Sequence, residues 1–209
     1  MTKALAMQWH ENVQPLVNSN YAHDGTTSKK VRADVGWRWP TYLKFVAIHN
    51  YLTRMPGNAS ERGKAMCVVV SKGEQKFPIG MLSIVPKLHC NVEGVERKRA
   101  FTWYLSDAPS EAYEQFLNQP VVRGVAKALI DCTIQAALDE GEDGELLLHA
   151  DPKGGRKLIE FYGASCRMRR LSPTNGCITA VWRRGRPEEY FHFNGADAQA
   201  FSALYDARR

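Results

Sequence analysis

Apolar residues recur at helical spacing in two segments of the 209-residue chain. The first segment runs from Pro40 to Met55, and the sequence PGNASERG then ends it. The second runs from Gly124 to Leu138 and ends at GEDG. Apolar side chains three or four residues apart share one face of a helix, so both segments are predicted to be helices. His49 lies near the apolar side of the first helix, where a core role is the simpler expectation than a catalytic one.

Three runs rich in β-branched and aromatic residues lie between these helices. The runs AMCVVVS and KFPIGMLSIVPKLH flank a turn at Lys72, Gly73 and Glu74, which is the pattern of a β-hairpin. The third run, RKRAFTWYLSD, follows the sequence CNVEGVE, which is interpreted as a loop. One helix followed by a three-stranded antiparallel meander is therefore predicted.

The remaining elements follow the second helix. ELLLHAD is a short, continuously apolar run, typical of a strand buried on both faces in the middle of a sheet. GGRKLIEFYGA is predicted to be a helix, and SCRMRRLSP and GCITAVWRR are interpreted as two strands about a turn. The sequences EYFHF and DAQAFSALYDARR indicate a final strand and a short helix.

This order of elements predicts an α/β (α+β) fold, in which helices flank one mixed, mostly antiparallel central sheet. The length suits a single domain. Residues 1–34 are polar and show no clear periodicity, so they are expected to form a flexible N-terminal leader. The domain itself is expected to span residues 35–209 and to include the C-terminal strand and helix.

Charge is unevenly distributed along the chain, whose net charge is +6. Residues 101–150 hold two Lys/Arg and nine Asp/Glu, a net charge of −7, whereas the remainder has a net charge of +13. A basic surface permits an anionic partner, such as nucleic acid or a phosphorylated cofactor. Against nucleic acid, the sequence contains no RNP-type aromatic motif and no finger-like Cys/His spacing.

The five cysteines are odd in number and widely spaced, and none forms a CxxC pair. Neither a structural metal site nor a disulfide framework is therefore predicted. Cys67 and Cys132 lie among apolar residues and are expected to be buried. No run approaches 18 apolar residues and the first residues lack a signal-like apolar region, so a cytoplasmic protein without a membrane span is expected.

The sequence VVRGVAKALID, residues 121–131, stands at the start of the second helix. A helix N-terminus presents unpaired N–H groups and partial positive charge, and both favour phosphate oxygens. Gly124 and Ala126 leave room for a pyrophosphate to approach the backbone, and Arg123 and Lys127 supply charge. The backbone amides of Val122 and Val125 complete the candidate cradle. The alternative is that the glycine serves packing alone.

At this point the chain resembles the GNAT acyltransferase superfamily, over roughly residues 40–185. In that family a three-stranded meander leads to a loop of the form Gln/Arg-x-x-Gly-x-Gly/Ala, then a helix, a strand, and a helix bearing Phe-Tyr. Here Gly124 and Ala126 match the loop, and Phe161 and Tyr162 match the later helix. The sequence departs from the pattern at Val121, which takes the Gln/Arg position. The resemblance implies an acyl-coenzyme A-dependent N-acyltransferase that uses acetyl-coenzyme A as co-substrate and no metal.

Site residues follow from the same resemblance. Tyr162 is the implied general acid for the departing thiolate, and Asp107 and His149 are the alternative general bases. Backbone near Leu105 and Ser106 is implied to polarise the thioester carbonyl. The packing alternative for Tyr162 is that it fills the core beside its neighbour.

The acceptor is expected to be a small-molecule amine or a protein amine. Two other readings stay open: a non-catalytic acyl-coenzyme A-binding or interaction module, and RNA contact through the basic segments 29–38 and 167–186. A homodimer formed through the late strands and the aromatic residues Tyr190, Phe191 and Phe193 is a further expectation.

Overall fold

The structure, a computed structural model, describes residues 1–55, 61–172 and 189–208. Its helices are α1 (Lys3–Gln8), α2 (Gln14–Asn20), α3 (Trp39–Leu52), α4 (Ser110–Ala112), α5 (Val125–Leu138), α6 (Gly155–Glu160) and α7 (Gly195–Ala203). Its strands are β1 (Tyr21–Ala22), β2 (Lys30–Val31), β3 (Lys64–Lys72), β4 (Gln75–Val92), β5 (Val95–Asp107), β6 (Leu146–His149), β7 (Arg169–Arg170) and β8 (Tyr190–Phe193). Turns of π-helix continue α1, α4 and α6 at Trp9–Val13, Tyr113–Leu117 and Phe161–Ser165. Short 3-10 turns lie at Pro152–Gly154 and Asp206–Arg208.

Six of the strands form one sheet, in the order β3-β4-β5-β6-β8-β7. Every neighbouring pair in this sheet is antiparallel except β5 and β6, which are parallel. The prediction of a mixed, mostly antiparallel central sheet is confirmed, and β6 takes the central position expected of a continuously apolar strand.

Both turns of the meander are tight. The predicted hairpin is confirmed, with Lys72 paired to Gln75 across the turn. The interpretation of CNVEGVE as a loop is wrong, because only Glu93 and Gly94 lie between the last pair of β4 and β5. Both residues have positive φ, 55° and 82°, as a type I′ turn requires, and this two-residue turn lets the strands pair up to its edges.

Helices cover both faces of the sheet. On one face, α5, α6 and α7 pack over Leu146, Leu148, Phe191 and Phe193. On the other face lies α3, whose His49 ring packs edge-on against Trp103, with 4.8 Å between ring centroids. His49 is 2% exposed and its Nε2 lies 2.9 Å from the Glu61 carbonyl, so it is a core histidine as expected. Burial lowers its pKa below the ordinary value.

The N-terminal segment is part of the fold, which corrects the expectation that residues 1–34 form a flexible leader. Ala6, Trp9, Val13 and Val17 are completely buried. The N-terminal ammonium group donates a hydrogen bond of 2.7 Å to the Ala65 carbonyl of β3. These contacts fix α1 and α2 on the domain, because the four apolar side chains form the stripe of an amphipathic helix.

The late strands differ from the prediction in extent. SCRMRRLSP contributes only the two residues of β7, and GCITAVWRR lies outside the described residues. EYFHF forms β8 as predicted, but Tyr190, Phe191 and Phe193 are 1%, 1% and 2% exposed. These aromatic side chains belong to the core and do not form a surface for a second copy, so homodimerisation stays a prediction without a defined surface.

The cysteines are only partly as expected. Cys67 and Cys132 pack against the core but are partly exposed, whereas Cys90 and Cys166 are buried. All four are free thiols, and burial raises the pKa of Cys67 to about 11. Cys177 lies outside the described residues.

Candidate functional site

The parallel pair in the middle of the sheet is short. β5 and β6 pair only at Ala100 with Leu146, Phe101 with Leu147, and Thr102 with Leu148. Beyond Thr102 the strand β5 continues to Asp107, whereas β6 ends at His149. The two strands therefore separate, and a wedge opens between them.

A β-bulge coincides with the point of separation. In the pairing of β4 with β5, Ile84 opposes Thr102 and Ser83 opposes Tyr104, so Trp103 is an extra residue in β5. A bulge bends its strand and increases the local twist, which turns the end of β5 away from β6. Tyr104 then stacks on Tyr42 of α3, with 3.7 Å between the ring centroids, and this contact holds the bent strand.

A cavity of about 710 Å³ fills this wedge. It lies within the range of roughly 300–1,000 Å³ that is common for small-molecule sites. Six of the residues predicted from the sequence line it together: Leu105, Ser106, Asp107, Ala126, His149 and Tyr162. Residues from β5, α5, β6 and the turn after α6 thus meet in one place.

Tyr162 is set in the wall of the cavity by the π-helical turn Phe161–Ser165. It is 6% exposed and packs against Phe191, with 5.5 Å between ring centroids. Burial raises the pKa of its phenol well above the ordinary value, and the neighbouring Cys166 thiol acts in the same direction. The phenol therefore stays protonated at neutral pH and can donate a proton to a group in the cavity.

Asp107 is held by a residue that the sequence did not single out. Arg32 Nη2 lies 2.7 Å from the Asp107 carbonyl oxygen and 3.2 Å from its carboxylate. The same guanidinium binds Asp34 through two hydrogen bonds of 2.8 Å. Burial opposes the charge of Arg32, but Asp34 and Asp107 outweigh it and keep its pKa above the ordinary value. Asp107 is therefore a partner in an ion-pair cluster rather than an isolated base.

Ser106 belongs to the same cluster. Its hydroxyl group donates a hydrogen bond to Asp34, and its side chain is 1% exposed. Asp34 is itself 4% exposed, and its backbone carbonyl accepts a hydrogen bond of 2.8 Å from Gln14. Because α2 supplies Gln14, the N-terminal segment forms one wall of the wedge.

His149 has a partner that the sequence reasoning missed. Its Nε2 lies 3.0 Å from Oε2 of Glu189, and both side chains line the cavity. Glu189 immediately precedes β8, which pairs antiparallel with β6 and places Tyr190 opposite His149. Sequence spacing gave no signal for this contact, because 40 residues separate the two.

The N-terminus of α5 begins at a glycine and has no side-chain cap. Gly124 takes the N-cap position with φ of 84°, a conformation that favours glycine, and no side chain caps the helix. A Cβ at Gly124 would meet nothing within 4 Å, so its positive φ and not close packing is what requires glycine in this structure. The packing alternative for this glycine is therefore not supported.

The cradle residues are divided between two depressions. Ala126 lines the wedge cavity, whereas Val122, Arg123, Gly124 and Val125 line a neighbouring cavity of about 250 Å³. Neither cavity is lined by Lys127. Burial raises the pKa of the Cys166 thiol to about 12, and the charge of the nearby Lys127 opposes this rise. The structure thus places the predicted residues around one helix terminus but not in one pocket.

Val121 departs from the family pattern in its environment as well as in its identity. It is 44% exposed, and the neighbouring Val122 is 43% exposed. An apolar side chain in solvent supplies no polar group to the loop. Basic side chains from other elements are nearby instead: Lys30 and Lys157 line the wedge cavity.

Some of the basic residues considered for RNA contact are engaged in ion pairs. Arg32 is committed to Asp34 and Asp107. Arg169 pairs with Glu93, and residues 173–186 lie outside the described residues. In the first segment, the side chains of Lys29, Lys30 and Arg38 are exposed.

In comparisons with known proteins, no family model, no curated protein and no solved structure matches this chain. The described residues contain no cluster of three or more His, Cys, Asp or Glu side chains arranged to hold a metal ion. Among the helices of residues 1–55, 61–172 and 189–208, none is long and apolar enough to cross a membrane.

Proposed function

We propose that the protein is an acyl-coenzyme A-dependent N-acyltransferase that transfers acetyl from acetyl-coenzyme A to a primary amine. The observation that carries the proposal is the wedge between β5 and β6, which opens at the bulge of Trp103 and contains the buried phenol of Tyr162. The bent edge of β5 offers backbone groups to a ligand, and the phenol offers a proton. A site that cleaves a thioester needs both: backbone groups that hold the co-substrate, and a proton donor for the departing thiolate.

Each part of the co-substrate has a chemically suitable partner. The amide groups of an extended pantetheine arm can pair with the β5 edge as a short strand would. The pyrophosphate can take the N–H groups and partial positive charge at the start of α5, where Gly124 leaves the helix uncapped. Lys30 and Lys157 at the cavity add positive charge for the phosphate groups.

The reaction follows from these placements. The amine attacks the thioester carbonyl carbon, and backbone N–H groups near Leu105 and Ser106 stabilise the negative charge on the carbonyl oxygen. The carbon–sulfur bond then breaks, and Tyr162 protonates the leaving thiolate. The phenol is protonated at neutral pH, because its ordinary pKa is near 10 and burial raises it further.

Calorimetric titration of the full chain with acetyl-coenzyme A tests the proposal, with S-acetylpantetheine as the matched probe that lacks the pyrophosphate. We expect acetyl-coenzyme A to bind and S-acetylpantetheine to bind more weakly. Mass spectrometry of small amines and peptides after incubation with labelled acetyl-coenzyme A identifies the acceptor. Absence of binding at millimolar acetyl-coenzyme A would refute the proposal.

A non-catalytic acyl-coenzyme A-binding module is the second candidate. This candidate is favoured by Arg32, because its guanidinium already binds the carbonyl and the carboxylate of Asp107, one of the two alternative general bases. Binding of acetyl-coenzyme A without coenzyme A release across a broad panel of amines would support this candidate over the enzyme.

A further inference from the structure

The carboxylates on the β5 side of the wedge are already engaged. Asp34 accepts two hydrogen bonds from Arg32 and one from Ser106, and it is 4% exposed. Asp107 also pairs with Arg32. Burial raises the pKa of Asp107 above its ordinary value, and the neighbouring guanidinium of Arg32 opposes this rise. Both carboxylates are therefore occupied by Arg32, and a proton from an ammonium ion would have to compete with this guanidinium for them.

The β6 side offers a different group. Asp151 accepts the backbone N–H of Lys153 at 3.0 Å and so caps the 3-10 turn that follows β6. Among the described residues that line the cavity, His149 is the one histidine. An imidazole accepts a proton readily near neutral pH, where carboxylates are weak bases and lysines are charged.

The fold places His149 at the vertex of the wedge. It is the first residue of β6 beyond the last parallel pair, Thr102 with Leu148, so it stands where the two strands begin to separate. Its ring packs on Tyr190, with 4.9 Å between centroids, and its Nε2 meets the Glu189 carboxylate at 3.0 Å. A carboxylate can only accept a hydrogen bond, so Nε2 must carry the proton and Nδ1 is left as the acceptor.

We propose that His149 is the general base of this site and that Glu189 is its positioning residue, which fixes the ring with Nδ1 free to accept a proton. This inference rests on the proposed function. It selects His149 over Asp107, and it adds a residue from the segment before β8 to the site.

The proton balance is complete without another reactant. His149 Nδ1 takes one proton from the ammonium group, and the freed nitrogen lone pair forms the bond to the thioester carbon. The carbon–sulfur bond breaks, and the thiolate takes the phenol proton of Tyr162. The nitrogen loses its second proton as the amide forms, and this proton restores the phenol. His149 releases its own proton to solvent, so the products are the amide, coenzyme A and one proton.

Two acceptor amines of nearly equal size distinguish a general base from a residue with only a structural role. Ethylamine is charged at neutral pH and needs a base, whereas methoxyamine is uncharged and does not. We expect His149→Ala to lower the rate with ethylamine by about 100-fold or more, since a general base typically contributes that much. Acetylation of methoxyamine should fall by far less. Equal losses with both acceptors would overturn the assignment of His149.

Glu189→Gln tests the positioning role through the pH profile. Loss of the carboxylate removes an anion beside the imidazole, so the acid limb of the ethylamine rate should move to lower pH. The plateau rate should fall, because the ring is no longer held. The other described charged side chains around the cavity are Lys30, Arg32, Asp34, Asp107, Asp151 and Lys157, and they are unchanged in this variant. An unmoved limb would remove Glu189 from the mechanism.

The matched control is Glu160→Gln on α6, where the side chain pairs with Arg156 on the surface and is 54% exposed. Both the limb and the plateau should stay as in the unmodified protein. A shift in this variant equal to that of Glu189→Gln would show a general charge effect and would contradict the proposal.

Nitrogen NMR of the imidazole rings tests the pair without any acceptor. In the unmodified protein His149 should be the tautomer protonated at Nε2, with its signals assigned by their loss in His149→Gln. Protonation at Nδ1 would overturn the pair even if acetyl-coenzyme A binds. Conversely, the expected tautomer together with no binding of acetyl-coenzyme A would leave the pair intact and refute the proposed enzyme.

Discussion

The two ends of the β5–β6 pair differ in how their charged side chains are arranged. At the entry end, Arg99 and Glu145 directly precede the paired residues and join through Arg99 Nε and Glu145 Oε1 at 2.6 Å. Each side chain is 3% exposed, and the Ala100 N–H donates to the Glu145 carbonyl at 2.9 Å. At the exit end the strands separate, and the charged side chains line a cavity. One strand pair is thus closed at one end and open at the other.

The difference shows what each cluster of charges does. Arg99 also donates to the carbonyls of Cys90 and Val95 at 3.0 and 3.1 Å, and His192 contacts Glu145 at 2.5 Å. A buried ion pair is tolerated when its remaining groups have partners, and here Arg99 bonds two carbonyls while the second carboxylate oxygen of Glu145 pairs with Arg97. The entry cluster therefore fixes the position of the two strands, and the exit cluster is left open to a ligand.

The largest expected effect comes from breaking the closed end. Glu145→Gln leaves Arg99 buried without its anionic partner, and the loss of one member of a buried pair typically costs about 3–5 kcal/mol. Urea unfolding measures the change in the free energy of unfolding. Glu140→Gln is the control, because its exposed pair with Lys64 should contribute no more than about 1 kcal/mol. Equal effects of the two variants would contradict the role given to the entry cluster.

Tyr162→Phe changes the open end and should leave the closed end intact. Removal of the phenol proton should lower turnover by about 100-fold, with little change in the dissociation constant of acetyl-coenzyme A. Steady-state kinetics and calorimetry measure the two quantities. Tyr51→Phe, at a side chain 64% exposed on α3, should change neither. Unchanged turnover in Tyr162→Phe would return this residue to a packing role.

The closed end should also make stability depend on pH. Burial lowers the pKa of His192 to about 4, and Arg169 and Arg99 act in the same direction. In the unfolded chain the group titrates near 6.5, so the unfolded state binds more protons as the pH falls from about 6.5 to about 4. The free energy of unfolding should decrease over this window, by at most about 1.4 kcal/mol per pH unit for one proton.

His192→Gln should flatten that dependence, and urea unfolding at several pH values checks it. The matched variant His23→Gln removes a histidine whose Nε2 meets the Val35 carbonyl far from the entry cluster. It should leave the slope in place. A slope that survives in His192→Gln would show that other groups account for the acid sensitivity.

The smallest expected effect concerns the start of α5. Gly124→Ala places a Cβ on a residue with φ of 84°, which costs about 1–2 kcal/mol of stability and disturbs the helix terminus. Gly141→Ala is the matched control, since its φ is 81° and a Cβ there also meets nothing within 4 Å. Both variants should lose similar stability, but only Gly124→Ala should weaken acetyl-coenzyme A binding. Undiminished affinity would show that Gly124 serves only the backbone conformation at the start of α5.

Local sequence patterns predicted most of the elements but missed the N-terminal helices. Ala6, Trp9, Val13 and Val17 are spaced by three, four and four residues, so a helical stripe was present in the sequence. Their short helices, interrupted by a π-helical turn and by polar residues, concealed it. The consequence reaches the site, because the same segment supplies Arg32 and Asp34.

For the site, the sequence supplied the residues that lie on regular elements. Leu105, Ser106 and Asp107 follow from the strand-like run, and Tyr162 from its helix. Glu189 was missed, because a partner 40 residues away is set by sheet order and not by spacing. The division of the α5 terminus between two cavities was missed for the same reason.

The sequence by itself determined the elements whose cause is local. Helical periodicity placed α3 and α5, β-branched runs placed the meander, and the Gly-containing sequence at residues 72–74 placed the first of its two turns. Tertiary structure alone decided where β5 and β6 separate, since the bulge at Trp103 depends on its register with β4 and on the stacking of Tyr104. It also decided which charges face the wedge. Both depend on contacts between residues far apart in the chain, which no short-range pattern encodes.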